Sequence, residues 1–141
     1  MKTVKFGDWS KQTKERITAV HRRSVELLGE EMANTIPNGG KVPFQDGNLM
    51  RSLLASTVAM PPTAEGPFSG SNVGAVAATL EPHQSVYIGY QAGYARRQNY
   101  GFVGEDSLGR TYNQTGHYFV EDAIAKWPQI VRKASREIKG E

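Results

Sequence analysis

Cysteine is absent from this 141-residue chain, so no disulfide can staple it and no thiolate can hold a metal. Its fold must rest on packing alone, and the composition suits a reducing cytoplasm. Long apolar runs are missing as well. No segment approaches the roughly 20 apolar residues that cross a bilayer, and Met1 to Trp9 has two lysines without the apolar core of a signal peptide; neither membrane contact nor export is expected. An excess of one charge is also lacking. Seventeen Lys and Arg against 14 Asp and Glu leave +3. The signs are interleaved, with Lys11 ahead of Glu15 and Arg22 ahead of Glu26 at i,i+4, a solvated helix face rather than a nucleic-acid surface.

The residues of catalysis are sparse. Of the three histidines, His21, His83 and His117 fall on different predicted elements, outside metal-ligand spacing, and no Gly-x-Ser-x-Gly elbow or phosphate loop is present. His117 with Glu121 and Asp122 reads as chemistry of a helix start. No catalytic, cofactor-binding or metal-binding residue is assigned, no cofactor is expected, and the chain does not read as an enzyme.

What is present fits one domain, residues 1–141, which is long enough to bury a core. A helix is predicted from about Asp8 to Ile36, capped by Asp8 or Ser10, with Trp9, Ile17, Val20, Leu27 and Leu28 on one side. Pro37 to Gly40 ends it. A short capped turn follows at 46–53, then a strand-like stretch at 54–60 and a Pro, Gly and Ser-rich loop at 61–72. Residues 73–80 and 85–90 read as paired strands about the turn at 81–84, with Val86, Ile88 and Tyr90 on one face. With 54–60 they would make a three-stranded antiparallel sheet. Residues 92–99 read as a short helix ended by Gly101, and Phe102 to Gly116 as a long mobile loop. The last helix, His117 to about Lys139, carries a stripe of Val120, Ala123, Ile124, Trp127, Ile130, Val131, Ala134 and Ile138, and Pro128 should kink or split it at Trp127. The predicted class is therefore α+β: a long N-terminal helix and a kinked C-terminal helix on a small antiparallel sheet, with two long flexible loops.

Three segments carry more than secondary structure. In Val42-Pro43-Phe44-Gln45-Asp46-Gly47-Asn48-Leu49-Met50-Arg51-Ser52-Leu53, Asp46 is placed to accept from the N–H of Asn48 or Leu49, Gly47 permits a tight entry, and Leu49 and Leu53 would plug one helix face into the core. The run resembles a Pro-x-Asp-Thr-Gly-x-Leu-Arg-x-Ser signature of small bacteriophage neck and tail-completion proteins, the lambda protein Z-like group. Pro43, Gly47, Leu49 and Ser52 keep the pattern; Gln45-Asp46 replaces Asp-Thr, and Met50 replaces the first Arg. Tyr94-Ala95 with Tyr100-Gly101 resembles the family's Tyr-Ala-x-x-x-Glu-aromatic-Gly element, Asn99 standing in place of Glu. Gly116 to Trp127 resembles its closing Gly-x-x-Phe-x-x-x-Ala helix.

The resemblance implies a structural virion protein, made in the host cytoplasm, that acts at the head-tail junction or the head-proximal end of the tail. It would join heads to tails or complete tails by protein-protein binding. Its expected partners are connector, tail-terminator or tail-tube proteins and further copies of itself in an oligomeric ring, with loose contact to DNA in a channel. Asp46, Gly47, Leu49 and Ser52 are the expected fold motif; Arg51, Tyr94, Arg96, Arg97 and Tyr100 are the expected contact residues. A second reading rests on the mixture of cations and aromatics at Tyr94, Arg96, Arg97, Tyr100, Arg110 and Tyr112: a small nucleic-acid-binding protein.

Overall fold

The computed structural model describes residues 5–140. Its class is α+β, with long helices at both ends and small antiparallel sheets between them. Helix α1 spans Phe6–Met32. Neither Asp8 nor Ser10 caps it: extended Lys5 holds the cap position without a side-chain bond, and Asp8 lies in the first turn, where its charge suits the positive helix end. The helix also stops four residues before Ile36. Residues beyond it close on themselves instead, with Ile36 N–H donating to Val42 O (2.9 Å) and Val42 N–H to Asn34 O (3.2 Å). Pro37 belongs to a separate 3₁₀ turn, Ile36–Asn38, closed by Gly39 at φ 88°. The last carbonyls of α1 gain a distant partner, since the half-buried Tyr90 donates its hydroxyl to Met32 O at 2.6 Å.

Four-residue helix α2 (Asn48–Arg51) leads into strand β1 (Leu53–Ser56). Leu49 and Leu53 are both buried as expected, but they do not share a helix face. Leu49 packs with Val42, Ala92, Ala95 and Phe119, whereas Leu53, already in β1, packs with Val25, Met32, Val73 and Leu80.

Residues 73–80, predicted as a strand, form helix α3 (Val73–Ala78). Val73, Ala77 and Leu80 are spaced four and three apart, a helical stripe buried in the core beside α1. Close approach is possible because α1 offers Gly29: a Cβ there would stand 2.5 Å from Val73 Cγ1. Strand β2 (Tyr87–Tyr90) therefore pairs with β1 alone, in the register Leu53↔Tyr90 to Ser56↔Tyr87, and the three-stranded sheet does not form. Val86, Ile88 and Tyr90 do pack against the core together. On the other edge of β1 the Asn72 amide does the work of a strand. Its Oδ1 accepts from Ala55 N–H (2.7 Å) and its Nδ2 donates to Ala55 O (3.1 Å).

Helix α4 (Ala95–Tyr100) ends at Gly101, whose φ of 87° and close neighbours, Gln114 O and Gly116 N, favour glycine. The region read as a mobile loop, 102–116, folds as the hairpin of β3 (Gly101–Glu105) and β4 (Thr111–Thr115). Every residue of β4 is exposed, so no buried face imposes the apolar alternation that signals a strand. Asp106 ties the turn by accepting from the backbone N–H groups of Leu108 and Arg110, both at 2.9 Å.

The C-terminal helix splits at Trp127 as expected, into α5 (Phe119–Ala125) and α6 (Trp127–Lys139), with Pro128 in the first turn of α6. Its stripe is only partly covered: Ala123, Ile130 and Ala134 are buried, whereas Ile124, Trp127 and Ile138 are exposed. Antiparallel contact between α1 and α6 is fastened at both ends. Lys126 Nζ meets Glu31 Oε1 at 2.5 Å, and Arg23 Nε donates to Glu137 Oε2 at 2.6 Å. Arg22 does not pair with Glu26; its Nε donates to Leu80 O at the end of α3.

Candidate functional site

The three motif segments meet. At the first, Asp46 Oδ1 accepts from Asn48 N–H at 2.9 Å, one of the two donors expected, while Gly47, at φ 82°, holds the N-cap position. Ser52 is fully buried and donates its hydroxyl to Leu49 O at 2.7 Å, finishing the turn from inside. Arg51, expected at a contact surface, is instead an internal fastener: Nε donates to Phe68 O (3.2 Å) and Nη2 to Asp46 O (2.9 Å). Glycine at 47 leaves room for it, because a Cβ would lie 2.5 Å from Arg51 Nη1.

Asn48 joins this motif to two others. Its Oδ1 accepts from Phe68 N–H (3.1 Å), and its Nδ2 donates to the Tyr94 hydroxyl (3.1 Å). Segment 61–72 is thereby tied down rather than looped out. Ala64 N–H reaches Gln91 O (2.9 Å), and Gln91 Nε2 reaches Pro62 O (3.3 Å). Between the motif and α4 lies a cavity of about 440 Å³ lined by Phe44, Asp46, Asn48, Tyr94 and Gln98 among others. Phe44 and Tyr94 are both exposed at its mouth.

The second and third segments are joined by Asn99. It is 3% exposed, and its Oδ1 accepts from Val120 N–H (3.0 Å) in the first turn of α5. Its Nδ2 donates to both carboxylate oxygens of Glu121 (2.9 and 3.2 Å), and its backbone O accepts from Tyr118 N–H (2.9 Å). Tyr118 itself takes φ 50°, a conformation few non-glycine residues adopt, at the N-cap of α5. Partial burial pushes the Glu121 carboxyl up, but the Asn99 amide, a backbone N–H and the Tyr100 hydroxyl outweigh it and hold it below the ordinary range. The same carboxylate raises the Tyr100 hydroxyl.

The expected contact residues are therefore distributed. Tyr94 borders the motif cavity. Arg97 stacks 4.0 Å above the Phe102 ring, and Phe102 lies 5.9 Å from Tyr112, so these three bind the hairpin to α4. Tyr100 packs edge-on to Tyr118 at 6.4 Å. Arg96 has no hydrogen-bond or ion-pair partner among the described residues. Arg110 donates from Nε to Asp106 Oδ2 at 2.6 Å, and Tyr112 donates its hydroxyl to the same oxygen at 3.0 Å.

The sequence does not single out Asn48 or Asn72, and it marks Asn99 only as the residue in place of a Glu, although each organises a junction. For Asn99 the signal was its place in the Tyr-Ala-x-x-x-Glu-aromatic-Gly pattern, where a polar side chain recurs before the aromatic. For Asn48 and Asn72 there was none beyond a position beside a glycine or serine.

No family model, no curated protein and no solved structure matches this chain.

Proposed function

We propose that this chain is a structural protein of a bacteriophage or phage-derived particle. In this reading it sits at the head-tail junction or the head-proximal end of the tail and joins or completes particles by binding. The single observation that supports it most is the convergence of the three motif segments. Residues 43–53, 94–101 and 116–127 are far apart in the chain, yet Asn48 to Tyr94 and Asn99 to Val120 and Glu121 link them directly.

The site suits binding. Its exposed groups are aromatic and amide side chains around an open cavity and an exposed two-stranded ribbon, with Tyr94, Tyr100 and Arg96 available to a partner. Connector, tail-terminator or tail-tube proteins are the proposed partners, and further copies would complete a ring. DNA passing through such a ring would meet the protein loosely. The nucleic-acid alternative draws less support, since Asp106 holds Arg110 and Phe102 holds Arg97, leaving Arg96 as the cluster's uncommitted guanidinium.

The test is an amber stop in this gene within its phage. Electron microscopy is expected to show finished heads apart from tails, or tails with wrong or unfinished ends. Normal infectious particles would sink the proposal. A defect confined to replication or transcription would favour the nucleic-acid alternative.

A further inference from the structure

The other end of the molecule carries a surface that none of these motifs uses. No residue of α1 before Ser24 is buried, and three large apolar side chains there are open to solvent: Phe6 is 80% exposed, Trp9 56% and Ile17 54%, while Val20 is half-buried against Leu27 and Ile130. At 100° per residue, Phe6, Trp9, Thr13, Ile17, Val20 and Ser24 fall within an arc of about 80°. That seam runs into a groove of about 350 Å³ between α1 and α6, lined by Ile17, Val20, His21, Ser24, Trp127 and Val131. Within its walls the Ser24 hydroxyl and His21 Nε2 are buried and have no hydrogen-bond partner among the described residues. A surface that withholds such groups from water without pairing them is incompletely packed.

Cations flank the seam. On the same helical wheel Lys14 borders it on one side and Lys5 and Arg16 on the other, with Arg23 beside them paired to Glu26, Glu30 and Glu137; the far face mixes Lys11 and Arg22 with Asp8 and Glu15. On α6, Arg132, Arg136 and Lys139 stand against Glu137, which Arg23 holds, while Lys133 lines a separate groove with Glu30 and Glu31. Residues 5–23 and 127–139 together hold ten cations and three carboxylates. The remaining described residues hold six cations and ten carboxylates.

We propose that this seam and groove receive an α-helix of another protein whose own apolar seam is flanked by Asp and Glu. Charge complementarity selects that occupant. Flanking charges decide which helices pair, and a cationic flank rewards an acidic one. A second copy would bring like charges to the seam. Nor does it offer an alternative helix, because among the described residues the acids of the second half of α1 are engaged by Arg23 and Lys126, and α5 is seated on the core. A bilayer would meet a narrow seam running into a cleft, where an interfacial helix needs a broad apolar face. A DNA backbone would gain nothing from Phe6, Trp9 and Ile17. The surface is separate from the motif cavity, so failure here leaves the head-tail proposal standing, and the reverse.

The two tryptophans of the chain, Trp9 and Trp127, both belong to this surface, so their emission reports on it directly. Three synthetic 18-residue peptides would be titrated into the full chain: Leu at i, i+3, i+4 and i+7 with Glu flanks, the same with Lys flanks, and a scrambled acidic control. The acidic amphipathic peptide is expected to shift emission to the blue saturably, and Ile17→Glu, at an exposed position, to weaken it by about tenfold or more. Salt should weaken it too, while the thermal melt of Ile17→Glu stays that of the parent. Absence of a shift, or equal binding of the Lys-flanked or scrambled peptide, overturns the proposal. So does self-association that Ile17→Glu abolishes, or blue shifts with phosphatidylserine vesicles or duplex DNA in place of the peptide.

Discussion

Asn99 is the residue whose replacement should reveal most, because one buried amide serves two elements. Asn99→Ala removes the acceptor for Val120 N–H, a lost cap of about 1 kcal/mol. It also strips two amide bonds from the Glu121 carboxylate; bonds to a charged group are worth roughly 1.5 to 3 kcal/mol, less where that group is half-exposed. A loss of about 2 to 3 kcal/mol is expected at pH 7. Asn99→Asp separates the two roles. Its carboxylate can still accept from Val120 N–H, but it faces Glu121 with a second negative charge. The parent holds Glu121 below the ordinary carboxylate range, so that contribution is present above the unfolded value and is lost as pH falls through the folded one. In Asn99→Asp the two carboxyls raise one another, so the folded state binds protons more tightly than the unfolded, and stability recovers as pH falls. Urea unfolding at pH 7 and pH 4 should therefore show the gap between Asn99→Asp and the parent closing in acid. A gap that widens, or Asn99→Ala within about 0.5 kcal/mol of the parent, would refute the role given to this side chain.

Three further outcomes are expected. Leu49→Ala should lower stability by roughly 2 to 5 kcal/mol and Asp46→Ala by about 1 kcal/mol in thermal melts, Leu49 being buried and Asp46 bonded to Asn48 N–H. Gly29→Ala should destabilise by about 1 to 3 kcal/mol despite alanine's better helix propensity, because its Cβ enters the space of Val73; adding Val73→Ala should cost less than the sum of the two single changes. Limited proteolysis is expected to spare 61–72, and first cleavage there would contradict its bonding to Asn48, Gln91 and Ala55.

The helices at the two ends were legible because their apolar spacing and the Pro128 break act locally. The motif at 43–53 was legible for the same reason, as Asp46, Gly47 and Ser52 form bonds within a few residues of themselves. Residues 73–80 misled because Val-Gly-Ala-Val-Ala-Ala-Thr-Leu fits either period, and the decision came from Gly29, over forty residues away. The ribbon at 101–115 was hidden because neither strand buries a full face, so only backbone pairing defines it. Among the contact residues, Arg51 was misread because its carbonyl partners, Phe68 O and Asp46 O, leave no trace in side-chain sequence. Tyr94, expected as a contact residue, stands beside Asn48 at the cavity, and its role toward a partner belongs to the proposal above.

The Asn72 amide on Ala55 has a consequence for coexistence of many copies in one cell. A strand with one unpaired flank is a template on which any extended chain can grow, and crowding makes that growth an aggregation route. Here β2 occupies one flank of β1, and a side chain already claims the outward N–H and C=O of Ala55 on the other. Copies at high local concentration are thus denied β1 as a seed. Sheet growth between them is left to the outer flank of β2 and to the flanks of the 101–115 ribbon.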